Sequence, residues 1–180
     1  MSYLFVGKNQ ALLFDTGLGI GDVRQEILQI TTLPVLVINS HSHYDHIGGN
    51  KQFPIILQCK DGDIIAMDPF NFIVIQTPGH TPDSICLYER KKKLLLTGDT
   101  MYPGPIYLFF PESNFEDYKK SINRLNKLDI NVLLPSHNAF HQSKEIIYVT
   151  AKKIKNLNIK KEKKVQIDSE VSLLFQNPAY

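Results

Sequence analysis

The sequence predicts an α/β protein, and three observations predict it. Short runs rich in Val, Ile, Leu and Phe alternate with longer stretches of helical periodicity. Histidines and aspartates follow several of those runs within a few residues, where α/β proteins usually carry functional loops. A 180-residue chain that is 43% hydrophobic can bury one good core, so residues 1–180 are expected to form a single domain.

Tyr3–Val6 and Ala11–Phe14 are β-rich runs joined by the turn-like Gly7-Lys8-Asn9-Gln10, which makes a hairpin. Asp15-Thr16-Gly17 ends the second strand, and Gly17, Gly19 and Gly21 form a flexible turn without the spacing of a nucleotide loop. Asp22 caps a helix expected to run through Ile30, with Val23, Ile27 and Ile30 on one face. Val35–Ile38 has the continuous apolar pattern of a buried strand. Further strands are expected at 55–58, 72–76, 84–88, 94–97 and 132–134. Ser113-Asn114-Phe115-Glu116 reads as a capping box that starts a helix over 114–127. A second helix is expected over 143–156, followed by strands at 165–167 and 171–175.

Formal net charge is only +2, but its distribution is uneven. Residues 152–164 hold seven lysines against Glu162, a local +6, so the remainder of the chain is net acidic. Such a run is either a solvated helix end or an electrostatic handle for phosphate-bearing substrates; a nucleic-acid partner is disfavoured. Cys59 and Cys86 lie in apolar runs without metal-binding spacing and are expected to be buried free thiols. No signal peptide is visible and no run of about 18 apolar residues occurs, which reads as a cytoplasmic protein without a membrane span.

Chemistry concentrates in the histidines. Five of the six fall in three clusters: His41-Ser42-His43-Tyr44-Asp45-His46, Gly79-His80, and Ser136-His137-Asn138. Gly98-Asp99 adds a carboxylate after another predicted strand, and only His141 is left over. His41 and His43 stand two apart, so in extended backbone both reach one ion. Asp45 and His46 lie beyond a bend and can serve a neighbouring ion, while Gly48 and Gly49 let the chain turn tightly. Imidazole with carboxylate suits zinc, iron or manganese, and two adjacent divalent ions imply hydrolysis. A structural metal site is disfavoured because structural zinc prefers cysteine.

These motifs, from Asp15-Thr16-Gly17 through Ser136-His137-Asn138, resemble the metallo-β-lactamase superfamily. The resemblance implies a four-layer αββα sandwich with two divalent metal ions, zinc or alternatively iron or manganese, at one edge of its sheets. It assigns His41, His43 and His80 to one ion and Asp45, His46 and His137 to the other, bridged by Asp99. Asp15 is expected to orient the ligand loop from behind. The implied reaction is hydrolysis by a metal-bound hydroxide, with Asp45 also orienting the water.

The stretch Met101-Tyr102-Pro103-Gly104-Pro105-Ile106-Tyr107-Leu108-Phe109-Phe110 has two readings. It is either core beneath the following helix or a wall for an apolar acyl chain, with Tyr102 or Tyr107 near the developing oxyanion. Its pattern resembles the branch typified by metallo-β-lactamase domain-containing protein 2, which implies ester or thioester hydrolysis of an acyl-coenzyme A. The alternatives are a mononuclear iron enzyme like the persulfide dioxygenases, and a glyoxalase II-like or lactonase-type hydrolase. An aspartate at position 99, where mixed-site zinc β-lactamases carry cysteine, disfavours penicillin hydrolysis. The chain begins close to the first matching strand, so early strands are expected to be missing or covered by a partner, such as a second copy in a homodimer.

Overall fold

A computed structural model of the protein describes residues 1–159 and 163–176. Its elements begin β1 (Tyr3–Val6), β2 (Ala11–Phe14), α1 (Val23–Leu28), β3 (Val35–Ile38), α2 (Tyr44–Ile47), β4 (Ile64–Met67) and β5 (Phe70–Gln76). They continue β6 (Ile85–Glu89), β7 (Leu94–Gly98), β8 (Gly104–Tyr107) and α3 (Phe115–Leu125). The last are β9 (Val132–Pro135), α4 (Glu145–Ile154), β10 (Lys164–Gln166) and β11 (Val171–Leu174).

Side-chain alternation builds the layers. Leu12, Phe14 and Ile38 from the β1-β2-β3 sheet meet Phe72, Val74, Leu87 and Leu96 from the β4-β5-β6-β7-β9 sheet. The intervening residues turn outward: Leu13 and Val37 pack on Ile27 of α1 and on Phe53. On the far side, Ile75, Cys86, Leu95 and Leu133 pack against α3 and α4 through Tyr118, Ile122, Ile147 and Ile154. The result is helix, sheet, sheet, helices: the αββα sandwich expected. Burying each large core side chain stabilises the sandwich by about 1.5–3 kcal/mol.

Helix α3 fits its groove because Phe115, Tyr118, Ile122 and Leu125 recur at intervals of three and four. A third, small sheet in the order β10-β11-β8 rests on the same outer core through Ile106, Val171 and Leu173.

Topology also gathers the functional loops. β6 runs antiparallel to both β5 and β7, and β9 runs parallel to β7, so β5, β7 and β9 point the same way. Their C-terminal ends hand over to His80, Asp99 and His137, while β2 and β3, parallel to each other, hand over to Asp15 and His41.

Several local expectations need correction. Residues 55–58 form no strand; Ile56 makes an isolated bridge to Val37, because the segment leaves β3 after one pair of bonds. α1 ends at Leu28, two residues early, and Ile30 is 67% exposed. The cap of α3 is Asn114, whose side chain accepts from the Asp117 amide; Ser113 instead donates to the His80 carbonyl. Cys86 is buried as expected, whereas Cys59 is only half-buried. Lys160, Lys161 and Glu162 of the lysine-rich run lie outside the described residues. Among those described, no helix is long and apolar enough to cross a membrane.

Candidate metal centre

The seven residues expected as ligands converge at one rim. Three groups have donor atoms within 4.8 Å of one another: His41, His43 and His80; His41, His46 and Asp99; and Asp45, His46 and His137. Asp99 faces both ends of the array. Its Oδ1 lies 3.3 Å from His46 Nε2 and 3.1 Å from His137 Nε2, and its Oδ2 lies 3.7 Å from His80 Nε2. Asp45 Oδ2 stands 3.6 Å from both His46 Nε2 and His137 Nε2.

Backbone at the strand ends sets these positions. Gly98 has φ +52°, and a β-carbon there would meet Ser40 Cβ at 2.5 Å. Glycine therefore lets β7 press against the His41 loop and present Asp99 to it. Gly48 closes the short helix α2 directly against the Leu18 carbonyl, which a β-carbon would meet at 2.3 Å. The expected tight turn after the histidine cluster is thus a packing requirement.

Outer hydrogen bonds fix which nitrogen of each ring is free. His46 Nδ1 donates to Asp15 Oδ2 at 2.8 Å, and His80 Nδ1 donates to the Tyr107 carbonyl at 2.7 Å. His41 Nδ1 donates to Ser40 Oγ at 2.9 Å, and that hydroxyl in turn donates to Asp15 Oδ2. Each arrangement turns Nε2 inward, where it can ligate a cation once it carries no proton. His43 is reversed: Nε2 faces Glu112 Oε1 at 3.4 Å and Nδ1 faces His80 Nε2 at 3.0 Å.

Asp15 anchors the assembly. It adopts φ +64° and accepts from the Ser40 amide and from the Ser40 and Ser136 hydroxyls, besides His46. Its carboxylate thus ties the ends of β2, β3 and β9 together.

The centre fits a cation on physical grounds. His41 Nε2, His46 Nε2 and Asp99 Oδ1 are buried with no hydrogen-bond partner, although burying such atoms without one is costly. Burial and the neighbouring His46 push the His41 pKa down to about 2. Burial alone would push His46 down too, but Asp15 and Asp99 outweigh it and raise its pKa to about 10. Burial disfavours an ionised Asp99, yet His137 and His46 hold its carboxyl well below the usual range. In the metal-free protein, His46 carries the positive charge that its two carboxylates require.

A cavity of about 490 Å³ opens over the centre, with His43, Asp45, His80, Asp99 and His137 in its floor. Tyr102, Pro105, Tyr107 and Phe110 form one wall. The aromatic stretch is divided between the two: Met101, Ile106 and Leu108 enter the core, while those four line the cavity. Phe110 lies 4.8 Å from the His43 ring and Tyr102 lies 5.3 Å from the His137 ring. The Tyr102 hydroxyl, however, donates to the Pro105 carbonyl at 2.6 Å.

Ser40, Glu112 and Ser136 are roles the sequence did not reveal. Ser136 sits inside a recognised motif, but isolated serines and glutamates carry no spacing signal of their own. His141 is not among the grouped donors.

A model of the metallo-beta-lactamase superfamily matches residues 1–62 and 60–137. The chain belongs to that superfamily. Its expected likeness to the thioesterase branch is also found: the chain is 24% identical to the bovine (Bos taurus) acyl-coenzyme A thioesterase MBLAC2 over 199 residues. That match covers 75% of this chain and 71% of the relative. A hydroxyacylglutathione hydrolase from Bdellovibrio bacteriovorus is 31% identical over 117 residues, covering 54% of this chain and 46% of its own. Among solved structures, a metallo-beta-lactamase from Pontibacter korlensis shares the fold with a TM-score of 0.71. It has 19% identity, and 87% of each chain is covered.

Proposed function

We propose that the chain is a dinuclear metal-dependent thioesterase that hydrolyses acyl-coenzyme A. The observation that carries the reading is the division of Asp99, one oxygen facing His46 and His137 and the other facing His80. His41, His43 and His80 would hold one ion, and Asp45, His46 and His137 the other, with Asp99 between them. A pair of divalent cations bound there would supply an activated water, its pKa lowered from about 15.7 toward about 7, and a Lewis acid for the acyl oxygen. Zinc is the expected metal, with iron or manganese compatible with the same donors.

The chain's own groups then have defined work. Asp45, in the cavity floor, orients the attacking water and accepts its proton. Tyr107 lines the same cavity and offers a phenol toward the acyl oxygen, since Tyr102 has committed its proton to Pro105. The wall of Tyr102, Pro105, Tyr107 and Phe110 holds an apolar acyl chain and excludes bulk water. Attack forms a carbon–oxygen bond, the carbon–sulfur bond breaks, and a carboxylate and a thiol leave.

Both relatives reported above are named for acyl groups on a thiol carrier, coenzyme A in one and glutathione in the other. The single-iron oxygenase alternative has no use for the second donor group. Rates across acyl-CoA substrates of increasing chain length test the reading. Turnover that rises beyond about four carbons supports the apolar wall; equal rates on acetyl and long-chain thioesters remove it. No hydrolysis, with one iron and oxygen consumption on persulfides, would replace the reading.

A further inference from the structure

Resting on that thioesterase reading, we infer that Lys164 selects the carrier: it binds the phosphates of coenzyme A and thereby favours it over glutathione. Strand register places this lysine. In the third sheet Lys164 pairs with Leu174, and Leu174 pairs with Tyr107. Cross-strand partners project from the same face of a sheet. Tyr107 and Pro105 on that face line the metal cavity. The residues between them in register, Val165, Leu173 and Ile106, go to the opposite face and into the core. Lys164 therefore stands on the cavity side of the sheet, two strands out from the wall.

The spacing suits the carrier. Two inter-strand steps of about 4.8 Å put the Lys164 backbone roughly 10 Å from that of Tyr107. The arm between the sulfur and the diphosphate of coenzyme A has about as many bonds as four extended residues, a reach of roughly 13 Å. An acyl group held at the metals thus brings its phosphates to the outer strand.

Charge along the sheet agrees. Lys163 and Lys164 occupy the end beside Tyr107, where Lys163 also accepts the Phe175 amide through its carbonyl. Asp168 and Glu170 occupy the other end, where the Glu170 carbonyl accepts from the Gly104 amide. Lys8, Lys93, Lys119 and Lys120 sit in ion pairs with carboxylates, while Lys91 and Lys152 sit in none among the described residues. Among the described residues no carboxylate pairs with Lys163 or Lys164. Both residues are exposed, and among the described residues they remain open to an anion. Glutathione offers them only carboxylates, whereas coenzyme A offers a diphosphate and a ribose phosphate, for which lysine is an effective point-charge partner.

The test compares Lys164→Glu with wild type on two thioesters of one acyl group: octanoyl-coenzyme A and neutral octanoyl-N-acetylcysteamine. Lys91→Glu, an exposed lysine at the β6–β7 turn, serves as charge-matched control. The expected result is a KM at least ten-fold higher for octanoyl-coenzyme A in Lys164→Glu only, with the neutral thioester unchanged. Equal effects on both thioesters, or the same loss in Lys91→Glu, would overturn the inference while leaving thioester hydrolysis intact. Calorimetric titration with coenzyme A itself gives a readout independent of turnover. Binding that weakens about ten-fold in Lys164→Glu and with rising salt supports the phosphate contact. Binding indifferent to both contradicts it, and failure of wild type to hydrolyse either thioester would count against the thioesterase reading alone.

Discussion

The two halves of the proposed metal centre are built from different electrostatics. His41, His43 and His80 form an all-imidazole group, with His41 and His80 almost fully buried. Two of these rings lean on neutral partners, the Ser40 hydroxyl and the Tyr107 carbonyl. The other group, Asp45, His46 and His137, is wetter, with Asp45 29% and His137 34% exposed. It is also richer in negative charge, having Asp99 Oδ1 within 3.3 Å and Asp15 behind His46. In the first half, buried His41 presents an Nε2 lone pair already free of a proton. The second presents a stronger field but must give up a proton to use it.

Four perturbations test that difference. The largest effect should come from Asp99→Ala, because this side chain serves both halves. Turnover should fall by more than the 10–100-fold typical of losing an outer partner, and both ions should bind more weakly. Loss of only one ion in a metal titration would show that Asp99 belongs to a single half. Next, Asp15→Asn removes the acceptor for His46 and disturbs Ser40 and Ser136. The second ion should lose about 10–100-fold in affinity, and the first should change less.

The pH dependence follows from the same asymmetry. With its pKa raised to about 10, His46 keeps a proton through neutral pH in the metal-free protein. Binding at the second group expels that proton, so its affinity should climb up to about ten-fold per pH unit below about pH 10. His41, neutral above about pH 2, imposes no such slope on the first group. Titrations at pH 7 and pH 8.5 in matched salt would expose the contrast, and parallel slopes would erase it. The smallest effect belongs to Glu112→Ala. Glu112 is part-exposed and 3.4 Å from His43, so its loss should weaken the first ion by only a few-fold.

The α/β strand pattern and the clustering of the seven candidate side chains were legible in the sequence through spacing, whereas the four-layer sandwich and the division of ligands between two ions were implied by the family resemblance. Strands such as 35–38 and 94–97 announce themselves by apolar runs, and the histidines follow those runs. What escaped was set by tertiary contact. β4 was missed although Ile64–Met67 is an apolar run between Asp63 and Asp68; it is only four residues long, and Ile64 and Ala66 face outward. β8 was hidden inside a proline-containing stretch whose pairing partner, β11, lies about seventy residues later. Ile30 matched helical periodicity but fell beyond the last turn that packing supports. The outer partners Ser40, Glu112 and Ser136 act through geometry created only when distant strand ends meet.

Native mass spectrometry of the metal-loaded protein tests the central claim most directly, with Asp45→Ala and His43→Ala measured beside it. Two ions should bind each wild-type chain, and each variant should retain one. A single ion in the wild type, undiminished in Asp45→Ala, would contradict a dinuclear centre and the hydrolase mechanism built on it.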